Sequence, residues 1–461
     1  MIRTAGRALL PMSNKVSGQV SPEYAVNSSL YARLRHPGLR TVPQPVRLLC
    51  CSLIRCVLLV TIAPGIALAE NDTLDVALML SSGEQRSVFN RIARELENHH
   101  PELDVEIHAF GESTYKQHLS EWLETERFHV MYWHAGQRLR HLVESGHAAP
   151  LESAANGDGW NSVFPDNILR SIRFGDYYYA VPYSYYPWGF FHHRGLFRDL
   201  DLERPESWEQ LLDVAEKLKK ANITPFVIGS REQWPVAGWF DYLNLRLNGA
   251  DYHRALLAGE IPFTDSGVEQ VLQRWAELLD RDYFNQAHES LSWKAALPLL
   301  YRRNAGMMLM GSFAGFEIPR SQRPEIGFFG FPEMASDIPR AEDAPTDIFF
   351  LPAHASDHPG ARAFLEKLRS SETQSRINNA SGMLSPHKEA GSEERLYIAE
   401  SRSVIARARK LTQFLDRDAP EAFATPALGI LQDFMAEPDV GNTQKRLEQL
   451  RQSVFLRQES E

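Results

Sequence analysis

The sequence predicts an α/β protein with two lobes and a ligand cleft between them. The chain has 461 residues, a length that suits two domains better than one. Residues 74–133 alternate between strand-like and helix-like patterns, which is typical of a parallel sheet covered by helices. In such sheets ligands bind at the carboxyl ends of the strands. The natural site for two such lobes is therefore the cleft between them.

The first elements justify this interpretation one by one. Short apolar runs have strand length, whereas the intervening segments repeat apolar residues every three or four positions, as amphipathic helices do. In chain order the predicted elements are a strand over 74–80, a helix over 84–98, a strand over 105–109, a helix over 115–124 and a strand over 128–133.

A second α/β unit begins near residue 183. Ser207 and Gln210 fit a capping box, in which each side chain bonds to the backbone of the other residue, before a helix over 211–220. No internal repeat or low-complexity linker is visible. Further helices are predicted over 266–280, 293–302, 361–369, 403–416 and 443–454.

Residues 47–69 have the layout of a secretory signal peptide. A basic start is followed by an apolar run, two helix breakers and the small-x-small site Ala67-Leu68-Ala69. The apolar run is too short and too broken to span a membrane. We therefore interpret residues 1–69 as an N-terminal extension plus signal peptide, and we expect export to the periplasm with cleavage after Ala69.

Charge and cysteine usage exclude several classes of function. The net charge is −10, and eight of the 49 basic residues lie in the first 69 positions. The body of the chain, residues 70–461, is therefore more acidic than the chain as a whole and would repel nucleic acid. The three cysteines, Cys50, Cys51 and Cys56, also precede residue 70, which leaves no thiol chemistry in the body. Hydrolase, zinc-protease, P-loop and EF-hand motifs are missing. We expect no cofactor, no metal site and no nucleic-acid partner.

Two local patterns invite a metal interpretation. His192 and His193 are adjacent, and adjacent residues on a strand point to opposite faces, so a surface or core role is favoured. Paired tyrosines such as Tyr185 and Tyr186 bind ferric iron in some periplasmic proteins. Here they lie within 177–191, where nine of fifteen residues are aromatic, and an apolar stacking surface is the simpler interpretation.

The tryptophans indicate a sugar site. Sugars present flat C–H faces that pack on aromatic rings and hydroxyl rims that hydrogen-bond to charged side chains. Trp122, Trp208 and Trp275 lie on predicted helices, and we interpret them as core residues. Candidates for a neutral-sugar cleft are Trp133, Trp188, Trp234 and Trp293 near strand ends or loops, with the polar residues Glu84, His134, Asp241 and Asp347.

A series of motifs follows a specific order along residues 74–456. They are YAVPY at 179–183, PESWEQLL at 205–212, FTD at 263–265, AGMMLMGSF at 305–313 and the 361–374 segment with its SETQ ending. In this order they resemble the extracellular solute-binding proteins of sugar ABC transporters, the group that includes maltose- and glucose-binding proteins.

This resemblance implies two α/β lobes that close on a ligand like a trap. It places residues 74–181 and 309–352 in lobe 1, and residues 183–308 and 353–456 in lobe 2. The implied ligand is a mono- or oligosaccharide, the implied partners are the membrane permease subunits of an ABC importer, and the protein is expected to be a monomer.

The resemblance also assigns roles to individual residues. Glu84 matches the acid after the first strand, Trp133 and His134 match a sugar-contacting loop, and Asp347 matches an acid in a returning strand. Trp293 and Phe313 match stacking positions. The full set of predicted substrate-binding residues is Glu84, Trp133, His134, Tyr185, Trp188, Trp234, Asp241, Trp293, Phe313 and Asp347.

The leading hypothesis is a non-catalytic sugar receptor, and two alternatives stay open. A periplasmic carbohydrate-active enzyme would use Glu84 and Asp347 as its carboxylate pair, about 5 to 10 Å apart across a glycosidic bond. A ferric-iron or anion-binding receptor is the third interpretation, and basic residues converging on the cleft would favour it.

Export is expected to leave a mature chain that begins at Glu70, because signal peptidase cuts after small residues such as Ala67 and Ala69. The intact mass of protein recovered from the periplasm checks this. A membrane-bound product of full length would contradict it.

Overall fold

The computed structural model describes residues 72–80, 83–156, 158–391 and 396–456. These residues belong to one compact unit, Leu68–Glu461. The predicted extension, signal peptide and cleavage site lie outside the described residues. Within the described ranges, no helix combines the length and apolar character needed to cross a bilayer.

The strands follow the alternation that the sequence predicts in its first unit. In chain order they are β1 (Asp72–Met79), β2 (Leu103–Phe110), β3 (Val130–His134), β4 (Glu152–Ser153), β5 (Arg173–Phe174), β6 (Tyr177–Tyr178), β7 (Ala180–Tyr185), β8 (Trp188–His193), β9 (Thr224–Phe226), β10 (Ala305–Gly311), β11 (Ile326–Phe329), β12 (Ala341–Asp343), β13 (Thr346–Phe350) and β14 (Lys410–Thr412).

Helices fill most of the remaining chain. They are α1 (Gly83–His99), α2 (Glu112–Glu124), α3 (Gln137–Glu144), α4 (Asp158–Val163), α5 (Asp166–Arg170), α6 (Arg194–Asp199), α7 (Trp208–Lys220), α8 (Trp234–Leu247), α9 (Gly249–Leu257), α10 (Ser266–Asp280), α11 (Trp293–Tyr301), α12 (Ala314–Glu317), α13 (Pro359–Arg369), α14 (Ser371–Ser381), α15 (Leu396–Arg407), α16 (Leu415–Asp418), α17 (Glu421–Ala436) and α18 (Val440–Phe455).

Two main sheets organise these elements, which confirms the α/β fold class. The first sheet has five strands in the order β2-β1-β3-β13-β7, and the second has four in the order β11-β8-β10-β9. β1 runs parallel to β2 and β3, whereas β13 is antiparallel to β3 and β7. Each sheet lies in its own hydrophobic core.

Local sequence explains why the predicted helices form. In α1 the residues Phe89, Ile92 and Leu96 are buried on one face, as their spacing predicts. The capping box at Ser207 and Gln210 is present at the start of α7. The tryptophans assigned to the core from sequence, Trp122, Trp208 and Trp275, are all buried.

The membership of the sheets differs from the predicted division of the chain. Strands β10 and β11 both pair with β8 in the four-stranded sheet, although the resemblance places residues 309–352 in lobe 1. Conversely, α13 contributes Phe364 and Leu368 to the core of the five-stranded sheet. The chain therefore returns to the first sheet between β11 and β13, and not at residue 309.

The helix predicted over 403–416 is wrong. The α15 helix ends at Arg407, and β14 then pairs in parallel with β12 before the short helix α16 begins. The apolar spacing of this segment fits a helix, but pairing with a distant strand satisfies the backbone of residues 410–412 instead.

An ion-pair cluster that joins α1 to α13 and α14 predicts acid-sensitive stability. Arg376 donates to Glu95 at 2.9 Å, and Lys367 lies 2.9 Å from the same carboxylate. The Arg376 hydrogen bond, aided by Lys367, lowers the pKa of Glu95 from 4.5 to about 2. The unfolded chain therefore binds this proton at a higher pH than the folded chain, so the stabilisation is complete above pH 5 and disappears as the pH falls toward 2.

We expect Glu95→Gln to lower the free energy of unfolding by about 1 kcal/mol at neutral pH, because the pair is partly solvated. The deficit should shrink to zero near pH 2. Urea denaturation across this range measures both quantities, with Glu121→Gln on the exposed face of α2 as the control. A deficit that grows as the pH falls would show that folding does not lower the pKa of Glu95.

Candidate functional site

A cavity of about 370 Å³ lies between the two main sheets. The five-stranded sheet contributes the ends of β1 and β3 and the start of β13, and the other side contributes the starts of β8, α8 and α11. The lining residues are Met79, Leu80, Gln85, Gly111, Glu112, Lys116, Tyr132, His134, Tyr183, Tyr186, Trp188, Trp234, Trp293, Lys294, Phe313, Asp347, Met383, Phe414, Asp416 and Arg417.

One side of the cavity is an aromatic wall. The Trp293 and Phe313 rings are 5.3 Å apart, and Tyr186 lies 4.9 Å from Phe313, both nearly perpendicular. Trp234 joins the wall at 6.2 Å from Trp293, and Trp188 lies 5.8 Å from Trp234. Edge-to-face packing of this kind fixes the rings, so the wall is a rigid surface against which an apolar face can stack.

Helix starts position two of these rings. Trp234 is the first residue of α8 and Trp293 is the first residue of α11. Ser292 caps α11 by accepting a hydrogen bond from Ala295, and the Glu232 carboxylate accepts the backbone N–H of Trp293 at 3.2 Å. The second contact ties Glu232, two residues before α8, to the start of α11, so both tryptophans keep a fixed spacing.

The opposite side carries a chain of polar groups centred on Asp347. The register of β13 and β3 places Asp347 opposite His134, and the two side chains are 3.3 Å apart. Arg417 of α16 donates to Asp347 at 3.1 Å and to the Tyr186 hydroxyl at 2.6 Å. The polar chain therefore meets the aromatic wall at Tyr186.

Burial and mutual contact set the charges of this chain. Burial alone would raise the pKa of Asp347, but the His134 hydrogen bond and the Arg417 charge outweigh it and lower that pKa. Burial, reinforced by Arg417, lowers the pKa of His134 to about 3. Near neutral pH, Asp347 is an anion, Arg417 is a cation and His134 is neutral. These three polar side chains together therefore carry no net charge.

The remaining cations of the lining are paired as well. Lys116 lies 2.8 Å from Glu112 of the same helix, and Lys294 lies 2.8 Å from Glu317. With Arg417 already paired to Asp347, each lysine and arginine that lines the cavity has an acidic partner. This balance suits a ligand without net charge and disfavours an anion.

A second cavity, of about 780 Å³, lies beside Gly136, Thr346 and Asp418. Phe174 is the one aromatic residue in its lining, and several of its charged residues, such as Arg170 and Lys410, are exposed. The smaller cavity is the better candidate because it combines an aromatic wall with buried polar groups.

Six of the ten predicted binding residues come together in the smaller cavity: His134, Trp188, Trp234, Trp293, Phe313 and Asp347. The other four lie outside its lining. Glu84 is exposed in the first turn of α1 and lies 3.4 Å from Arg320. Tyr185 pairs through its backbone with Leu384.

Trp133 lines an adjoining cavity of about 410 Å³, which shares Lys116, Trp234 and Asp416 with the first, whereas Asp241 supports the site from behind. Trp133 alternates with His134 on β3, and its indole N–H donates to the Arg138 carbonyl at 3.3 Å. Asp241 is fully buried and accepts the backbone N–H of Leu415 at 3.0 Å, so it fixes the start of the helix that bears Arg417. Burial and nearby Asp343 raise the pKa of Asp241 well above its usual value.

The most important residues that the sequence did not reveal are Arg417 and Tyr186. Arg417 followed a segment predicted as one continuous helix, which concealed the turn that directs it into the cavity. Tyr186 stands next to the predicted Tyr185, and strand alternation alone does not say which of the two faces the ligand. Its position beside Pro187, in the turn between β7 and β8, was the available signal.

Comparison with known proteins gives a consistent family match. Residues 81–375 match the family described as bacterial extracellular solute-binding protein. An uncharacterised ABC transporter extracellular-binding protein of Pyrococcus horikoshii is 25% identical over 383 residues, which cover 80% of this chain and 84% of that protein. A probable sugar-binding periplasmic protein of Brucella melitensis is 23% identical over 264 residues, 56% of this chain and 62% of that protein.

Two solved structures have a similar fold. The bacterial solute receptor AcbH, described as having an exclusive preference for β-D-galactopyranose, superposes with a TM-score of 0.77 at 26% identity and covers 84% of this chain and all 100% of its own. RafE in complex with raffinose has a TM-score of 0.68 at 16% identity, covering 82% of this chain and 98% of its own, and shows the likeness of fold.

The electrostatics predict that His134 stays neutral far below the usual histidine range. Its ring signals in a pH-dependent NMR titration should not shift between pH 8 and pH 5, because its pKa is about 3 in the folded protein. The unfolded chain takes up this proton near pH 6.5, so His134 should reduce stability progressively as the pH falls below that value. A midpoint near pH 6.5 for the His134 signals in the folded protein would contradict the assignment.

Proposed function

Because this chain belongs to the bacterial extracellular solute-binding proteins, we propose that it is the sugar-binding component of an ABC importer. It captures a neutral mono- or oligosaccharide in the cavity between its two sheets. The observation that carries the proposal is the aromatic wall facing the internally neutralised Asp347–Arg417 pair. Sugars are recognised by such a combination of stacking faces and charged hydrogen-bonding groups.

The polar chain is arranged to receive hydroxyl groups. The contacts of Asp347 with His134 and Arg417 both use Oδ1. Among the described residues no hydrogen-bond partner occupies Oδ2, so this oxygen can accept a bond from a sugar hydroxyl. A charged acceptor whose position is already fixed loses little entropy on binding.

The size of the cavity and the similarity to known receptors limit the choice of ligand. About 370 Å³ lies at the small end of the range for small-molecule sites, which favours a monosaccharide or short oligosaccharide. The relative that prefers β-D-galactopyranose shares 26% identity, so this monosaccharide is the first ligand to test, followed by raffinose.

The proposal includes capture without turnover. Glu84 lies outside the cavity lining, so the Glu84–Asp347 pair considered from the sequence has no counterpart there. Asp347 is a poor proton donor because Arg417 and His134 lower its pKa. These features support a receptor over a glycosidase, which needs one carboxylic acid that keeps its proton.

Export, closure and delivery complete the proposed cycle. The signal peptide is cleaved after Ala69, and the monomeric protein binds its ligand in the periplasm. We propose that the two lobes follow the two main sheets and close over the cavity by a hinge motion. The closed complex then docks on the permease subunits of its importer.

Calorimetry on variants of the cavity tests the proposal once a thermal-shift screen has identified a sugar. Trp293→Ala should weaken binding roughly ten- to hundredfold by removing a stacking face. Asp347→Ala should weaken it by a similar factor, since hydrogen bonds to charged groups contribute about 1.5 to 3 kcal/mol. Tyr177→Ala, an exposed aromatic on β6 outside the cavity lining, is the matched control and should bind normally.

Two results would overturn this assignment. Unchanged affinity in both cavity variants would exclude this cavity as the binding site. Release of reducing sugar during long incubation of the unmodified protein with oligosaccharides would establish turnover, and its loss in Asp347→Ala would place that turnover in the same cavity.

A further inference from the structure

The first sheet carries a second group of chemically active side chains, away from the sugar cavity. Asp75 of β1 and Glu106 of β2 stand opposite each other in the parallel register, and His108 lies two residues farther along β2. Residues two apart on a strand share one face, and so do paired residues of neighbouring strands. The sheet itself therefore brings the three side chains together.

The donor atoms of this group converge. The Nε2 atom of His108 lies 2.7 Å from Asp75 Oδ1 and 3.4 Å from Glu106 Oε2. Within the described part of the chain, these three residues are the one group of three His, Asp or Glu side chains whose donor atoms all lie within 4.8 Å of one another. An imidazole and carboxylates are ligand types that Zn²⁺ accepts.

We propose that Asp75, Glu106 and His108 bind one Zn²⁺ ion, with water in the fourth position. Zinc bonds of about 2.0 to 2.2 Å in a tetrahedron separate the donor atoms by about 3.4 Å. The Glu106–His108 distance already has this value, and a small rotation of the Asp75 carboxylate would open the shorter contact. The sequence motifs predict no metal site. A local spacing pattern does not reveal this one, because its ligands lie on two different strands.

A neighbouring histidine holds the backbone of Asp75 in place. His129 accepts the backbone N–H of Asp75 at 3.0 Å through Nδ1, and the same nitrogen lies 3.8 Å from Asp75 Oδ2. The His358 ring packs 4.4 Å from the His129 ring. These contacts fix the backbone position of Asp75, from which its carboxylate reaches His108.

The zinc site and the sugar cavity are separate. Met79 and Leu80, at the carboxyl end of β1, line the cavity, whereas Asp75 lies four residues earlier, about 13 Å away along a strand. Zinc would join the edge strand β2 to β1 without touching the sugar. The proposal therefore goes beyond sugar binding and can fail or hold independently of it.

Titration of the EDTA-treated exported protein with Zn²⁺ alone tests the site. We expect one equivalent to bind and to raise the melting temperature, because a ligand specific to the folded state stabilises it. His108→Ala and Glu106→Gln should each weaken zinc binding at least tenfold while leaving sugar affinity unchanged. Glu106→Gln preserves side-chain size at an exposed position, so it keeps the test valid where His108→Ala fails to fold.

His141→Ala on α3 is the matched control, since His141 is an exposed histidine of another element, and it should bind zinc normally. Equal losses in His141→Ala and His108→Ala would overturn the proposal, because they would indicate adventitious binding to surface histidines. An absence of saturable binding, or zinc affinity unchanged in Glu106→Gln, would also overturn it and leave the Asp75–His108 contact as a simple hydrogen bond.

Discussion

The buried ion pair between Asp347 and Arg417 is the interaction on which the cavity depends. Its side chains are 5% and 12% exposed, so both charges have lost most of their hydration. Such a pair contributes little net stability, yet removing one partner leaves an uncompensated buried charge and costs about 3 to 5 kcal/mol. The pair is therefore a constraint that the surrounding structure has to satisfy, and Tyr186 and His134 each add a hydrogen bond to it.

That constraint explains the construction around α16. The helix has only four residues and could not hold Arg417 alone. Asp241 of α8 fixes its start through Leu415, and Arg138 of α3 donates to the Asp416 carbonyl at 2.9 Å. Supports from two different helices give the guanidinium one orientation, which is the requirement for a preorganised binding group.

The sequence predicted what is encoded locally and missed what depends on long-range pairing. Helices such as α1 and α10 carry a strong apolar period, and their existence could be predicted from it. The segment before Arg417 also has helical spacing, but β14 forms because β12, some 70 residues earlier in the chain, offers a pairing edge. No local pattern contains that information.

The candidate site shows the same limit at the level of single residues. Aromatic and acidic residues near strand ends identified most of the wall and Asp347. All five residues of β3 are buried, so no alternation of polar and apolar residues shows that His134 lines the candidate cavity while Trp133 lines the adjoining one. The choice is made by the packing of the sheet against its neighbours.

The strand order of the first sheet has a consequence for how the chain folds. β13 lies between β3 and β7, so a strand from late in the chain fills a gap between two early ones, and the His134–Asp347 contact spans 213 residues. Contacts of such sequence separation form slowly, because closing the long intervening chain into a loop costs entropy before the contact stabilises anything. Any fragment that ends before residue 346 leaves β3 and β7 with exposed edges that can pair with other chains. The first sheet therefore cannot be completed until β13 has been synthesised, and until then its unpaired edges favour aggregation.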